Sequence, residues 1–223
     1  MSDQAPEYPL LVLDTSSRKT WVGLKLDAHG LIAKSESQDP SKTLFKLVDA
    51  VLDEADISLE NIASIAFCAG PGSMLGARTA SMAIRSWKGI GIEAARNVYY
   101  YNSLAVGGLI ASRKLKASGI VVTDARRSSW NALPFPNPSK QELHLISNEA
   151  LESAEGLLVT FEEFPSWTQT GAALTRLSYD PSPIFSEELY LPMLTPAREA
   201  SPITVRTNDY KKWEAKIHSA PEA

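Results

Sequence analysis

The 223-residue chain carries a single cysteine, Cys68, so no disulfide can close within it and a reducing compartment is expected. It has three histidines, His29, His144 and His218, far apart and with no HExxH pattern or cysteine pair beside them. A zinc centre needs three or four clustered nitrogen or sulfur ligands, so no metal site is expected. Long hydrophobic runs are missing too. Leu10 to Leu13 is far too short to span a bilayer, and the opening MSDQAPEYP has acids where a secretory leader has bases. No repeat or low-complexity block occurs. What remains is 44% hydrophobic and 22% charged, the composition of a folded protein, and a cytoplasmic location with no membrane contact is the expectation.

The net charge of −4 is unevenly spread. Residues 1 to 60 sum to −5, residues 61 to 130 to +7 and residues 131 to 223 to −6. A basic middle between acidic flanks is either a phosphate or RNA surface or charge matched within one fold. RNA binding by the chain alone would need Arg85, Lys88, Arg96, Arg113, Lys114 and Lys116 on one exposed face.

The patterning is that of an α/β protein. Tyr8 to Asp14 reads as a buried strand ending in a carboxylate, Thr20 to Leu26 as a strand with one apolar face, and Leu31 to Ser35 as a third antiparallel strand. Asp39 can cap a helix that begins at Pro40 and repeats Leu44, Val48, Val51 and Ala55 at helical spacing. Ser64 to Cys68 is a buried strand. It runs into the turn Gly70, Pro71, Gly72, from which Ser73 can cap a helix reaching about Trp87. That helix is rich in small residues, Gly76, Ala77, Ala80, Ser81 and Ala83, which permit close approach to a neighbour.

Further on, Ile92 to Ala95 is expected as a short strand, Tyr99 to Ser112 as a helix and Gly119 to Asp124 as a strand opening a second lobe. Beyond it come a loop at residues 135 to 139, a strand at Leu143 to Ile146, a helix after Ser147 and a strand at Gly156 to Phe161. The expected division is a first lobe at 1–112, a smaller lobe at 113–209 and a tail at 210–223, charged and either loose or a short helix.

Chemistry is harder to assemble than structure. Cys68 ends an apolar strand with no histidine placed to activate it, and reads as a buried thiol. Ser73 does not stand within a GxSxG elbow, and capping accounts for it, so a peptidase is not supported. Gly70 to Ser73 could turn backbone N–H groups toward a phosphate at a helix N-terminus. Yet the lysine of a P-loop is missing, and Pro71 removes a donor. Asp14, Thr15, Ser16 and Ser17 form a second phosphate-loop candidate without glycine, in which Asp14 is either a metal contact or a turn-fixing carboxylate. Tyr99, Tyr100 and Tyr101 are a base-stacking platform or part of a core or interface.

Three segments together resemble a known family. Leu11 to Ser16 resembles its opening LALDTS strand, and Ile62 to Ala80, IASIAFCAGPGSMLGARTA, resembles its GPGSFTGxRIG segment. Ile120 to Arg126, IVVTDAR, resembles its DAR strand. The family is TsaB, also called YeaZ-type. The resemblance implies an actin/Hsp70-like (ribonuclease H-like) fold of mixed sheets flanked by helices, in two lobes. It implies a non-catalytic partner of the TsaD-like catalytic subunit in tRNA N6-threonylcarbamoyladenosine synthesis. A TsaE-like ATPase joins that complex, homodimers are implied as an alternative, and tRNA is met indirectly. ATP and Mg are implied for the complex, with neither assigned to this chain; the alternative is an ATP-binding or phosphoryl-transfer enzyme of the same superfamily.

The matched motif positions are Asp14, Thr15 and Ser16, then Gly70, Pro71, Gly72, Ser73, Gly76 and Arg78, then Asp124, Ala125 and Arg126. The first helix of the glycine segment supplies the expected partner surface, Met74, Leu75, Ala77, Ser81 and Met82. Met74-Leu75 stands where the family has Phe-Thr, Thr79-Ala80 where it has Ile-Gly, and Gln38 to Ser41 where it has a histidine.

Overall fold

The computed structural model describes residues 5–136 and 142–205. The expected tail at 210–223, His218 and residues 137 to 139 of the expected loop lie outside them.

β1 (Leu10–Asp14), β2 (Thr20–Lys25) and β3 (Ile32–Glu36) form the expected antiparallel meander. α1 (Pro40–Ala55) starts where Asp39 accepts the Ser41 N–H at 2.9 Å, and Pro40 takes the first position, where no donor is needed. It buries Leu44, Leu47, Val48, Val51 and Leu52 on one face, each stabilising the fold by ~1.5–3 kcal/mol. β4 (Ser64–Cys68) then pairs parallel to β1. α2 (Met74–Gly89) follows the glycine turn, and β5 (Val98–Tyr101) pairs parallel to β4.

The second half repeats this plan. β6 (Gly119–Asp124), β7 (Ser129–Phe135) and β8 (His144–Ser147) form a meander. β9 (Leu158–Phe161) lies parallel to β6, and β10 (Leu174–Leu177) parallel to β9. The strand orders are therefore β3-β2-β1-β4-β5 and β8-β7-β6-β9-β10, one topology used twice. Asp14 ends β1 opposite Trp21, and Asp124 ends β6 opposite Trp130. The copies differ in their helices. The counterpart of α1 is α4 (Asn148–Glu152), a single short turn, and residues 162–173 carry no helix where α2 would be. α3 (Ser103–Leu115) follows β5, and α5 (Ser182–Ser186) follows β10. β11 (Thr195–Ala197) returns to the first sheet, antiparallel to β5.

One core lies between the sheets. It takes Leu10, Val12 and Cys68 from the first, Val121, Leu133 and Val159 from the second, and Leu104, Val106, Ile110, Ile184 and Phe185 from α3 and α5. A second core joins the outer face of the first sheet to α1 and α2, and a small third one joins the second sheet to α4.

Three expectations are corrected. Residues 92 to 95 are not a strand: Glu93–Arg96 form a 3-10 turn, closed by Ala95 N–H to Ile92 O at 3.2 Å. Tyr99 to Tyr101 belong to β5 and not to a helix. Tyr99 and Tyr101 face the core between the sheets while Tyr100 packs toward the outer one, a period of two. The helix waits for Asn102, whose side chain accepts the Leu104 N–H at 2.7 Å. Lastly, β2 has no wet face. Trp21 enters the core between the sheets, Val22 and Leu24 the outer one, and Lys25 is fully buried, giving its Nζ protons to the Ala28 and Phe185 carbonyls at 2.9 and 3.0 Å.

Candidate functional site

Asp14 stands at the end of β1 with no exposed surface. Its Oδ1 accepts the Ser16 N–H at 3.0 Å and the Ser16 hydroxyl at 2.6 Å. Its Oδ2 accepts the hydroxyls of Tyr101 at 3.0 Å and Tyr179 at 2.8 Å. Burial raises the Asp14 pKa above the usual carboxylate range against the opposing pull of the Ser16, Tyr179 and Tyr101 hydrogen bonds. Four donors occupy both oxygens, which is the full accepting capacity of a carboxylate. Thr15 Oγ1 is buried without a partner, the one polar atom of this turn left over among the described residues. A lone hydroxyl beside a saturated carboxylate does not fit a metal-bound phosphate. Of the two roles open to Asp14, this geometry is that of a turn-fixing carboxylate.

The glycine turn closes onto the same place. Gly70 and Gly72 take φ of 103° and 146°, which side chains resist. Ser73 N–H reaches Ser16 O at 2.6 Å, and a Cβ on Gly72 would meet that same carbonyl at 2.2 Å. A Cβ on Gly76 would fall 1.7 Å from Thr15 O. The glycines thus serve backbone-to-backbone packing between two loops. Ser73 caps α2 by accepting Gly76 N–H at 3.1 Å, and Ser103 anchors the turn through Gly70 O and Pro71 O. The same Cβ on Gly72 would also meet the ring of Phe164, from the second half, at 2.8 Å. Cys68 is buried, and burial together with Asp14 pushes its thiol well above the usual range.

Asp124 mirrors Asp14 with different partners. Its Oδ1 accepts the Arg126 N–H at 2.6 Å and the Thr168 hydroxyl at 3.0 Å, and its Oδ2 accepts the N–H groups of Trp167 and Thr168. Burial pushes the Asp124 pKa up, but the Thr168, Trp167 and Arg126 N–H groups outweigh it and hold the carboxyl below its ordinary value. Arg126, Arg127 and Ser128 follow in left-handed conformation, with φ of 62°, 51° and 54°. The Arg126 guanidinium lies 4.3 Å from the ring centre of Trp167.

Asp124 and Arg126 line the same cleft as Pro71, Gly72 and Ser73, a space of about 700 Å³. Asp14, Thr15 and Ser16 lie beneath, out of its lining. The halves are tied below it by Tyr179 on Asp14, Arg18 N–H on Glu163 O at 2.7 Å, and Trp21 Nε1 on Ser182 Oγ at 2.9 Å. Trp167 and the 165–168 loop were missed from sequence. The only signal was the DAR carboxylate, whose partners lie about 40 residues away, separations of 43 and 44 positions.

Among the described residues, α2 exposes an apolar patch beside basic side chains. Met74 is 45% exposed, Leu75 61% and Met82 56%, and Ile90, just past the helix, 76%. Phe45 of α1 extends this patch, set edge-on to Trp87 at 6.0 Å. Arg78 is exposed on the same helix. Ala77 and Ser81 point the other way and are buried, Ser81 giving its hydroxyl to Ala77 O at 2.8 Å. The basic residues weighed for RNA are spread over α2, the 3-10 turn and α3, and three of them are paired: Arg85 with Glu199, Arg96 with Glu93 and Arg113 with Glu187. No group of three or more His, Cys, Asp or Glu is arranged to hold a metal among the described residues, and none of the helices there is long and apolar enough to cross a membrane.

Two mixed sheets of one topology, with α3 and α5 packed between them, define an actin/Hsp70-like fold in two domains of the YeaZ type. The model of the family described as TsaD, tRNA N6-adenosine threonylcarbamoyltransferase, matches residues 25–150, more than half of the chain, and the chain belongs to that family. Two solved structures have the same fold. YeaZ from Pseudomonas aeruginosa is 22% identical, with 87% of this chain and 98% of that one covered and a TM-score of 0.59. A protein from Pseudomonas aeruginosa described as uncharacterized and similar to peptidase YeaZ is 22% identical, with 88% and 99% covered and a TM-score of 0.62. No curated protein matches the sequence.

Proposed function

We propose that this chain is a non-catalytic, TsaB-like subunit that holds a TsaD-like enzyme in working form during N6-threonylcarbamoyladenosine modification of tRNA. One observation carries the reading: the carboxylate that would face a metal-bound phosphate is saturated by Ser16, Tyr101 and Tyr179, while the adjoining helix α2 shows solvent an apolar patch. Met74, Leu75 and Met82, with Phe45 and Ile90 beside them, form the contact surface in this proposal. Exposed methionines suit it, since flexible thioethers adapt to a partner's shape. The same face serves a homodimer when the enzyme is missing. A TsaE-like ATPase joins the pair, ATP and Mg belong to the partners, and tRNA is reached through them in the cytoplasm.

Calorimetric titration with the TsaD-like protein of the same organism tests this. A Kd in the micromolar range or tighter is expected, weakened about tenfold or more by Met82→Glu, which places an unpaired charge in the contact. No association at micromolar concentrations would overturn it. The catalytic alternative keeps one point in its favour, that the matched family is described as a transferase. Binding of ATP with Mg by this chain alone, lost on Asp14→Ala, would favour that alternative.

A further inference from the structure

The last described residues are pinned on their way into the cleft above the Asp14 turn. Arg85 donates to Ala200 O and to Ser201 Oγ, both at 3.0 Å. Ala200 is buried, and Ile203 N–H reaches Ala69 O at 2.7 Å. Ile203 and Val205 then line the cleft itself, whose volume of about 700 Å³ falls within the ~300–1,000 Å³ of ordinary binding clefts. The chain is thus delivered into the cleft at Val205, with residues 206–223 still to come. Two further apolar side chains of the lining, both from the second half, stand in solvent: Leu145 is 39% exposed and Trp167 58%. Met74 and Leu75 line the cleft too but belong to the contact proposed for α2, and Arg126 is already stacked on Trp167. An occupant held by Leu145, Ile203 and the open side of Trp167 needs none of those three.

The sequence after Val205 holds three large apolar side chains, Tyr210, Trp213 and Ile217. Their spacing of three and then four positions predicts one face of a helix, which Asp209 is suited to cap. Lys211, Lys212 and Lys216 fall away from that face. We infer that residues 206–223 dock in the cleft of their own chain, with Tyr210 and Trp213 lying against Leu145, Trp167 and Ile203 and the lysines left in solvent. Aromatic side chains bury ~150–250 Å² each, the largest gain open to this segment. At ~3.3–3.6 Å per residue, the step from Val205 to Tyr210 spans about 17 Å at most, enough to cross the cleft and too little to leave its surroundings. So short a tether sets an effective concentration in about the millimolar range, which a free segment from a second copy or another protein must exceed. The docking stands whether or not α2 meets a partner.

Thiol labelling of introduced cysteines in the full chain tests it, the native Cys68 being buried. Gln38→Cys and Leu145→Cys place a probe on the cleft from each half, and Met82→Cys places one on α2 outside the lining. Tyr210→Ser with Trp213→Ser should speed labelling of both cleft probes about tenfold or more and leave Met82→Cys unchanged. Circular dichroism confirms that each variant folds. Unchanged labelling at the cleft probes would overturn the inference, since the segment would then lie elsewhere or another molecule would fill the cleft. Protection that fades on dilution, the mark of a segment supplied by a second copy, would overturn it too. So would equal acceleration at Met82→Cys, the mark of a general loosening of the fold.

Discussion

Replacing Tyr179 by Phe removes one hydroxyl from the Asp14 carboxylate and little else. The ring keeps its edge contacts to Phe161 and Phe164, with centres 5.4 and 4.9 Å apart. The lost hydrogen bond is 2.8 Å long and buried. To an ionised carboxylate such a bond stabilises the fold by ~1.5–3 kcal/mol, and to a neutral one by ~0.5–1.5 kcal/mol. Above the raised Asp14 pKa, where the carboxylate is ionised, the variant should lose the larger amount, a fall in Tm of about 3–12 °C for a domain of this size. The loss should shrink in acid as Asp14 takes up its proton.

The direction follows from the pKa. Burial raises the Asp14 value in the folded chain, so this group's contribution to stability is fully present below the ordinary carboxylate pKa and is lost as pH rises through the raised value. Asp14→Asn, which cannot titrate, should remove that slope. Urea unfolding of the variants from acid to alkaline pH reads both effects. A loss under about 0.5 kcal/mol at neutral pH, or one that does not change with pH, would refute the saturated carboxylate as described. Tyr101→Phe should behave alike, and the double variant should depart from additivity because both hydroxyls share one oxygen.

Gly76→Ala should destabilise by ~1–3 kcal/mol or more, since its Cβ would overlap the Thr15 carbonyl. Gly89→Ala, at the open end of the same helix with nothing within 4 Å, should stabilise by ~0.4–1 kcal/mol in the same melts. Asp124 titrates in the opposite sense to Asp14: its depressed pKa gives stability above the ordinary carboxylate value that is lost as pH falls through the folded value. Asp124→Asn should therefore lose stability at neutral pH and progressively less as pH falls from the ordinary carboxylate value through the folded one, read by denaturant midpoint. Cys68 should resist alkylation in the native chain and react on unfolding, as mass spectrometry would show; rapid native labelling would contradict its burial.

The sequence alone determined the meander, α1 with its Asp39 cap, the strand, glycine turn and helix from Ser64 to Gly89, and the strand that ends at Asp124. Each is written in contiguous residues, as apolar period, capping side chain or turn glycine. The sequence also left open whether the two loops at Asp14 and Gly70 hold phosphate, because that depends on which donors arrive from elsewhere. Tyr179 comes from 165 positions away, and Phe164 and Ser103 are likewise distant in sequence. β7, β10 and β11 escaped for a related reason. They are short or interrupted by Pro134 and Pro196, and they exist because a neighbouring strand pairs with them. β5 was misread because four residues, Val98 to Tyr101, are too few to separate a period of two from a helix until β4 lies alongside. The inward turn of Ala77 and Ser81 and the outward turn of Met74, Leu75 and Met82 had the same origin. Small residues tolerate either side of a helix, and only the packing of α2 on the first sheet chose between them.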